Sequence, residues 1–330
     1  MQGKIQVNED LIKFVDSFKG KKIGVIGDLI LDRYIWGDTE RISPEAPVPI
    51  VLVEKETFVP GGTGNAAMNI QALGGSAFVV GVVGKDEAGR QLLDSFRKNK
   101  INIDGIFKIP KRITTEKTRI ISRHQQMVRI DKEIISAIEN SVEAKIICFL
   151  SDHIKDWDGI IISDYTKGVI TQNLVNKIKS LAKKYNVLVV GDAKPKHASF
   201  FKHVDLFKIN HQEAMETAKT DDIKKAGRII QQWSGGDVLI TRGSEGMTIF
   251  KGKAIKHLPT QAREVLDITG AGDTVIASVA LALSVGAGLE KSAIIANHAA
   301  GIVVGKIGAA TVYPQELKEF LKSGKYKFKK

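Results

Sequence analysis

Gly159-Ile160-Ile161-Ile162-Ser163 and Val187-Leu188-Val189-Val190-Gly191, with the helical run Gln172–Tyr185 between them, decide the fold class. Both short runs are apolar throughout instead of alternating, the pattern of strands covered on both faces of a parallel sheet. The segment between them has the length a crossover helix needs to return the chain to the start of a parallel neighbour. The same rhythm extends outward. Candidate strands lie at Lys22–Gly27, Phe78–Gly84, Leu206–Ile209, Asp237–Thr241 and Met247–Phe250, with helical segments such as Glu87–Asn99, Gln212–Thr217 and Asp222–Gln232. The alternation predicts a doubly wound, mostly parallel α/β sheet.

Two stretches break the rhythm. Residues 34–60 carry Pro44, Pro47, Pro49 and Pro60 around the run Val48–Val53, and residues 106–130 are rich in Ile and Thr. Both read as strands outside the main sheet, and a small sheet inserted there would sit over the strand ends as a lid. With no repeat, no low-complexity linker and no second full-sized domain, residues 1–330 read as one domain with lid insertions. The apolar edge Val48–Val53 predicts a homodimer that pairs through the lid.

The 330 residues are 43% hydrophobic and 26% charged, the balance of a soluble globular chain. Charges interrupt the apolar residues of Met1–Phe14, so no signal-peptide core and no membrane span is expected, and the cytoplasm is the expected compartment. The single cysteine, Cys148, excludes an internal disulfide framework and a cysteine zinc cluster, and reads as a buried small apolar residue. An excess of 49 Lys plus Arg over 37 Asp plus Glu, net +12, favours anionic ligands. Nucleic acid is not the expected partner: the basic residues are dispersed, aromatics are sparse and no recognition motif is present. The Lys-rich end, Lys322–Lys330, reads as a solvated tail.

Asp267-Ile268-Thr269-Gly270-Ala271-Gly272-Asp273-Thr274 is a glycine turn that opens a long apolar helix. Gly270 and Gly272 permit a tight turn in which the amides of Ala271, Gly272 and Asp273 point together at a helix start, an anion site reinforced by the helix dipole. An Asp273 beside a phosphoryl group in transfer is placed to take a proton from an attacking hydroxyl. An aspartate cap after a glycine turn has the same local sequence.

Gly27-Asp28-Leu29-Ile30-Leu31-Asp32 follows the first strand, where open α/β sheets bind ligands, so Asp28 and Asp32 are candidates to accept hydrogen bonds from sugar hydroxyls. Gly61-Gly62-Thr63-Gly64-Asn65 allows close backbone approach and adds an amide that donates and accepts. Because this loop follows a proline-rich segment and lacks dinucleotide-fingerprint spacing, a dehydrogenase is poorly supported. Asn210 and Glu213, after an apolar strand, have the spacing to hold the water shell of Mg2+, and equally that of a helix-capping pair. Arg242, in Thr241-Arg242-Gly243-Ser244-Glu245-Gly246, is a phosphate candidate. The seven histidines show no paired ligand spacing.

Gly61-Gly62 with Asn65, Asn210-x-x-Glu213, Thr241-Arg242-Gly243 with Gly246, and Asp267 through Thr274, in this order, resemble the ribokinase-like (PfkB) carbohydrate kinases over essentially the whole chain. Within that family, Gly37 through Ile50 looks like the lid of D-glycero-β-D-manno-heptose-7-phosphate kinases, as do Ser163 through Gly168 and the run from Asn297 through Val304 to Gly308. Many such kinases are fused to an adenylyltransferase, and the present length suggests the stand-alone kinase.

The resemblance implies ATP-dependent phosphorylation of the anomeric (C1) hydroxyl of the heptose 7-phosphate to the 1,7-bisphosphate, on the route to ADP-heptose for lipopolysaccharide core. It implies Asp273 as catalytic base, Gly270, Ala271, Gly272 and Asp273 as the anion hole, and Asn210 and Glu213 as the Mg2+ and phosphate motif. Thr241, Arg242, Gly243 and Gly246 become the nucleotide loop, and Asn297 a wall of the adenine pocket. Asp32, Gly61, Gly62 and Asn65 match sugar-binding positions, with Asp28 and Asp164 as further candidates. Arg41, Lys117, Arg119, Arg123 and Arg129 are the lid cations available to the second phosphate. Gly191-Asp192-Ala193-Lys194-Pro195-Lys196 departs from the Asp-Pro-Lys-Gly form of these kinases, which leaves the cofactor role of Lys194 open, and Gly64 replaces a common alanine. The rival readings are another sugar or sugar-phosphate kinase of the family and a catalytically silent sugar-phosphate sensor.

Overall fold

The computed structural model describes residues 2–123, 125–262 and 264–323. The strands run β1 Lys22–Gly27, β2 Leu29–Ile42, β3 Pro49–Gly62, β4 Ser76–Gly84, β5 Asn102–Ile109, β6 Thr115–Ser122 and β7 Gln125–Lys132, then β8 Gly159–Asp164, β9 Leu188–Ala193, β10 Leu206–Asn210, β11 Asp237–Thr241, β12 Met247–Lys251 and β13 Ala254–Leu258. Nine of them form one sheet in the order β13-β12-β11-β10-β9-β8-β1-β4-β5, parallel from β11 to β5 and antiparallel at β12 and β13.

Side-chain alternation divides each central strand between two apolar cores, as a period of two requires. Ile161, Val190 and Leu239 point into one core with the helices Thr63–Ala72, Ala271–Ser284 and Leu289–Val303. Ile160, Ile162, Val189, Val238 and Ile240 point into the other, with Asn140–His153, Gln172–Tyr185 and Ile223–Ser234. That two-sided burial is why the central strands carry no polar stripe. No helix among the described residues is long and apolar enough to cross a membrane.

The other four strands make a small sheet, order β3-β2-β6-β7. Its limits differ from the expected insertions at 34–60 and 106–130. Only Asp28 separates β1 from β2, so the chain enters the small sheet at Leu29 and leaves it at Gly62. Ile106–Ile109 completes β5 at the edge of the large sheet, paired with β4, and the second lid portion starts at Thr115. Apolar alternation is the same for an edge strand of either sheet, so sequence could not assign it. Pro49 and Pro60 both lie in β3, which pairs only with β2, where the missing donor of a proline is tolerated.

Cys148 is exposed on the helix Asn140–His153, correcting its expected burial; the buried face there belongs to Val142, Ile146 and Leu150. The lysine-rich end beyond Ser323 lies outside the described residues.

Candidate active site

Gly270 adopts φ +78° and caps the helix Ala271–Ser284. A Cβ at Gly270 would fall 2.3 Å from Asn65 Nδ2, so space and backbone both demand glycine. Asp267 pins the turn by accepting from the amides of Thr269 at 2.8 Å and Gly308 at 2.9 Å. The Ala271 amide already donates to the Ile268 carbonyl at 3.2 Å, so of the expected anion hole Gly272 and Asp273 carry the helix-start amides that have no acceptor within the helix.

Asp273 is 6% exposed. Its Oδ2 accepts from Asn65 Nδ2 at 2.9 Å and its Oδ1 from the Tyr165 hydroxyl at 2.5 Å. Asn69 donates to Asn65 Oδ1 at 3.2 Å and accepts from the Thr274 hydroxyl at 3.1 Å, which closes a polar chain between the helix Thr63–Ala72 and the first turn of the helix Ala271–Ser284 inside an apolar layer. Burial pushes the Asp273 carboxyl up to about 6, against the pull of its hydrogen bonds from Tyr165 and Asn65 and the Lys208 charge. A carboxylate so tuned suits a general base near neutral pH.

Beneath the glycine turn lies a buried cation that sequence reasoning missed. Lys208, in the middle of β10, donates to Asp192 Oδ2 at 2.7 Å, and its Nζ would lie 3.1 Å from a Cβ on Gly272. Burial opposes its charge, but Asp192, Glu213 and Asp273 outweigh that and hold the lysine above its ordinary range. The available signal was a lysine within a strand otherwise apolar on both faces.

Asn210 and Glu213 form a reciprocal cap: Glu213 N–H donates to Asn210 Oδ1 at 2.9 Å and Asn210 N–H to Glu213 Oε2 at 3.2 Å. Lys194 reaches Glu213 Oε1 at 2.5 Å and stands 5.4 Å from the Tyr165 ring centroid, so it joins this motif to the surroundings of Asp273. On the far side of the turn a cleft of about 460 Å3 brings together Thr241, Gly243, Gly246, Ala271, Gly272 and Asn297. Asn297 donates to the Pro259 carbonyl at 2.7 Å. Arg242 does not line this cleft; its guanidinium pairs with Glu245 three residues on.

On the lid side, Asp32 is buried, takes Arg119 Nη1 at 2.5 Å and packs on Gly61, where a Cβ would lie 2.2 Å from Oδ2. Gly62 is left-handed, φ +55°, and a Cβ there would meet the Tyr165 ring at 3.2 Å. Two sugar candidates are spent on structure. Asp28 accepts from the amides of Tyr165, Lys167 and Val169 at 2.8, 3.0 and 3.0 Å, while Asp164 accepts from Thr166 N–H at 2.9 Å and faces His197 Nδ1 at 2.9 Å. Neither motif spacing nor residue type distinguishes a carboxylate that binds ligand from one that holds a turn. Burial, with the neighbouring Asp28 charge, pushes Asp164 up to about 6.

The lid cations meet carboxylates too: Lys117 with Asp131 and Glu133, Arg119 with Asp32, Arg123 with Asp38, and Arg129 with Asp131 at 2.8 Å. Arg41 is exposed near the far end of β2.

A buried carboxylate at a helix start, between a cleft and a small β sheet on a doubly wound sheet, is the layout of a ribokinase-like phosphotransferase acting on a sugar hydroxyl. Residues 21–316 match the pfkB family carbohydrate kinase, and the chain belongs to that family. It is 42% identical over 315 residues to the Bifunctional protein HldE of Sulfurimonas denitrificans, covering 94% of this chain and 66% of that protein. It is 43% identical over 300 residues to the Bifunctional protein HldE of Geobacter sulfurreducens, covering 89% and 61%. The chain thus spans less than two thirds of the length of these relatives. Among solved structures, Arabidopsis thaliana ribokinase complexed with ribose and ATP superposes with a TM-score of 0.72 at 18% identity, covering 92% of this chain and 99% of that one. Phosphofructokinase-2 from Escherichia coli gives 0.73 at 18%, with the same coverage.

Proposed function

We propose that this kinase uses ATP to phosphorylate the C1 hydroxyl of D-glycero-β-D-manno-heptose 7-phosphate, in the cytoplasm, toward ADP-heptose. The observation that carries the transfer is the place of Asp273, on the same turn whose Ala271 and Gly272 line the cleft, and hydrogen-bonded to Asn65 beside the lid. The heptose assignment draws on the lid segment Gly37–Ile50 and on the similarity to the HldE relatives over 94% and 89% of the chain.

In the proposed reaction ATP occupies the cleft, and the sugar lies against Asp32, Gly61, Gly62 and Asn65. The acceptor O–H breaks as its proton passes to Asp273, the new O–P bond forms, and the bond from the γ-phosphorus to the bridging oxygen breaks to release ADP. Gly272 and Asp273 amides, the helix dipole and Lys208 face the charge that develops. The donors at Asn210 and Glu213 fit Mg2+ held through water: one carboxylate and one amide oxygen, each engaged by a single neighbour per oxygen, keep lone pairs for hydrogen bonds from a hydrated ion. Bound there with ATP, Mg2+ would neutralise phosphate charge.

The 7-phosphate would have to share Arg119 or Lys117 with the carboxylates they now meet. That pairing favours, as second reading, a kinase for a sugar without this phosphate. The deciding assay is ATP consumption with Mg2+ on heptose 7-phosphate, fructose 6-phosphate, ribose and fructose, with the product phosphate located by phosphorus NMR. Turnover confined to the heptose phosphate with a new anomeric phosphate supports the first reading; turnover on a neutral sugar replaces it with the second. A silent sensor is the outcome if none is consumed, although a sensor has no use for Asp273.

The lid is also proposed to form a homodimer. Ile42, Val48, Leu52 and Val53 are exposed on β2, β3 and their connection, and among the described residues β3 is an edge strand of the small sheet.

A further inference from the structure

The turn after β8 is built to hold one side chain. Asp28 takes three of its amides, and Arg112 donates to the carbonyls of Ile134 and Ser136 at 3.0 Å each and to that of Lys167. Thr166 is held left-handed at φ +56°, and Gly168, at φ +90°, has no room for a Cβ, which would fall 2.0 Å from the Ser136 carbonyl oxygen. What this braced turn delivers is Tyr165. Its ring lies between Gly62 and the Lys194 ammonium, and its hydroxyl meets Asp273 Oδ1 at 2.5 Å.

We propose that Tyr165 is a positioning residue for the base: its hydroxyl fixes the orientation of the Asp273 carboxylate and supplies a charge-assisted hydrogen bond to its ionised form. The inference rests on the reading of Asp273 as general base. The groups facing that carboxylate are Tyr165 from this turn, Asn65 from the helix Thr63–Ala72, Lys208 from β10 and, behind it, Asp192 from β9. Lys208 acts through its charge, whereas Asn65 and Tyr165 each occupy one lone pair of a different oxygen. Each oxygen retains a second lone pair for the incoming proton. Tyr165 keeps its own proton throughout, because burial and the Asp273 charge raise its hydroxyl well above the ordinary tyrosine range. Removing the donor therefore weakens only the ionised form of Asp273, and its proton affinity rises.

Tyr165→Phe deletes one oxygen and keeps the ring. The expected result is a fall in kcat of about tenfold at pH 8. The acid limb of kcat/KM moves to higher pH, so the deficit widens toward pH 6, and KM for ATP is unchanged. A uniform loss with the wild-type pH profile would overturn the proposal, since a merely structural defect has that signature. Carbon-13 titration of the side-chain carboxyls, with Asp273 assigned by its absence in Asp273→Asn, reads the same displacement without turnover. If the wild type consumes no sugar in the panel above, the kinase reading fails while this titration still decides the Tyr165 contact. An Asp273 resonance titrating identically in Tyr165→Phe sinks it.

Discussion

Asp273 combines deep burial with a proposed task that requires charge, and both leave measurable traces. Asp273→Asn keeps shape and removes the proton acceptor, so turnover should fall about a hundredfold or more, with sugar affinity retained by calorimetry. Because burial raises this carboxyl to about 6, the wild-type kcat/KM should fall as pH drops through about 6. The stability sign is opposite to that of a salt-bridged aspartate: the folded state binds the proton more tightly than the unfolded chain, so stability is lost as pH rises from the ordinary aspartate range through about 6, and the whole loss is present at pH 8. Asp273→Asn should accordingly melt no lower than the wild type at pH 8, the mark of a residue kept for chemistry. A lower melting temperature would show the carboxylate to be structural.

At the scale of elements, the start of the helix Ala271–Ser284 has the narrowest tolerance. Gly270→Ala must hold a Cβ in the left-handed region and against Asn65 Nδ2. It should cost about 1–2 kcal/mol in urea unfolding and also reduce turnover by moving Asn65. Phe207, fully buried on β10 beside Phe201 and Trp233, belongs to the scaffold. Phe207→Ala should destabilise by about 3–5 kcal/mol with an unchanged denaturant slope.

The central strands were legible because two-sided burial leaves an apolar run that one sequence displays by itself, as in Ile160–Ile162 and Val189–Val190. The glycine turn was legible because its residues are contiguous. Tyr165, Lys208 and Asn69 were not, since their roles come from partners far away in sequence: Tyr165 meets Asp273, and Asn69 meets Thr274. Asp28 and Asp164 show the converse limit, where a visible carboxylate lies at the strand ends but serves the turn.

For the whole molecule, the exposed apolar edge of the small sheet predicts a dimer in solution. Light scattering at micromolar concentration should give twice the 36.0 kDa chain mass, and Val53→Asp should halve it by placing a charge at the paired edge. A monomeric wild type would remove the lid from the assembly. On the proposed reading, donor and acceptor recognition are also separated along the chain: the turn and cleft lie within residues 210–304, while β2, β3, β6 and β7 enter and leave the body at 29, 62, 115 and 132. On that reading, selection for a new sugar could rewrite the outer part of the small sheet while the root of β2, with Leu29 and Leu31 in the main core, and the turn at Asp273 are inherited intact, so descendants of one ancestral scaffold could diverge in diet without relearning how to transfer a phosphate.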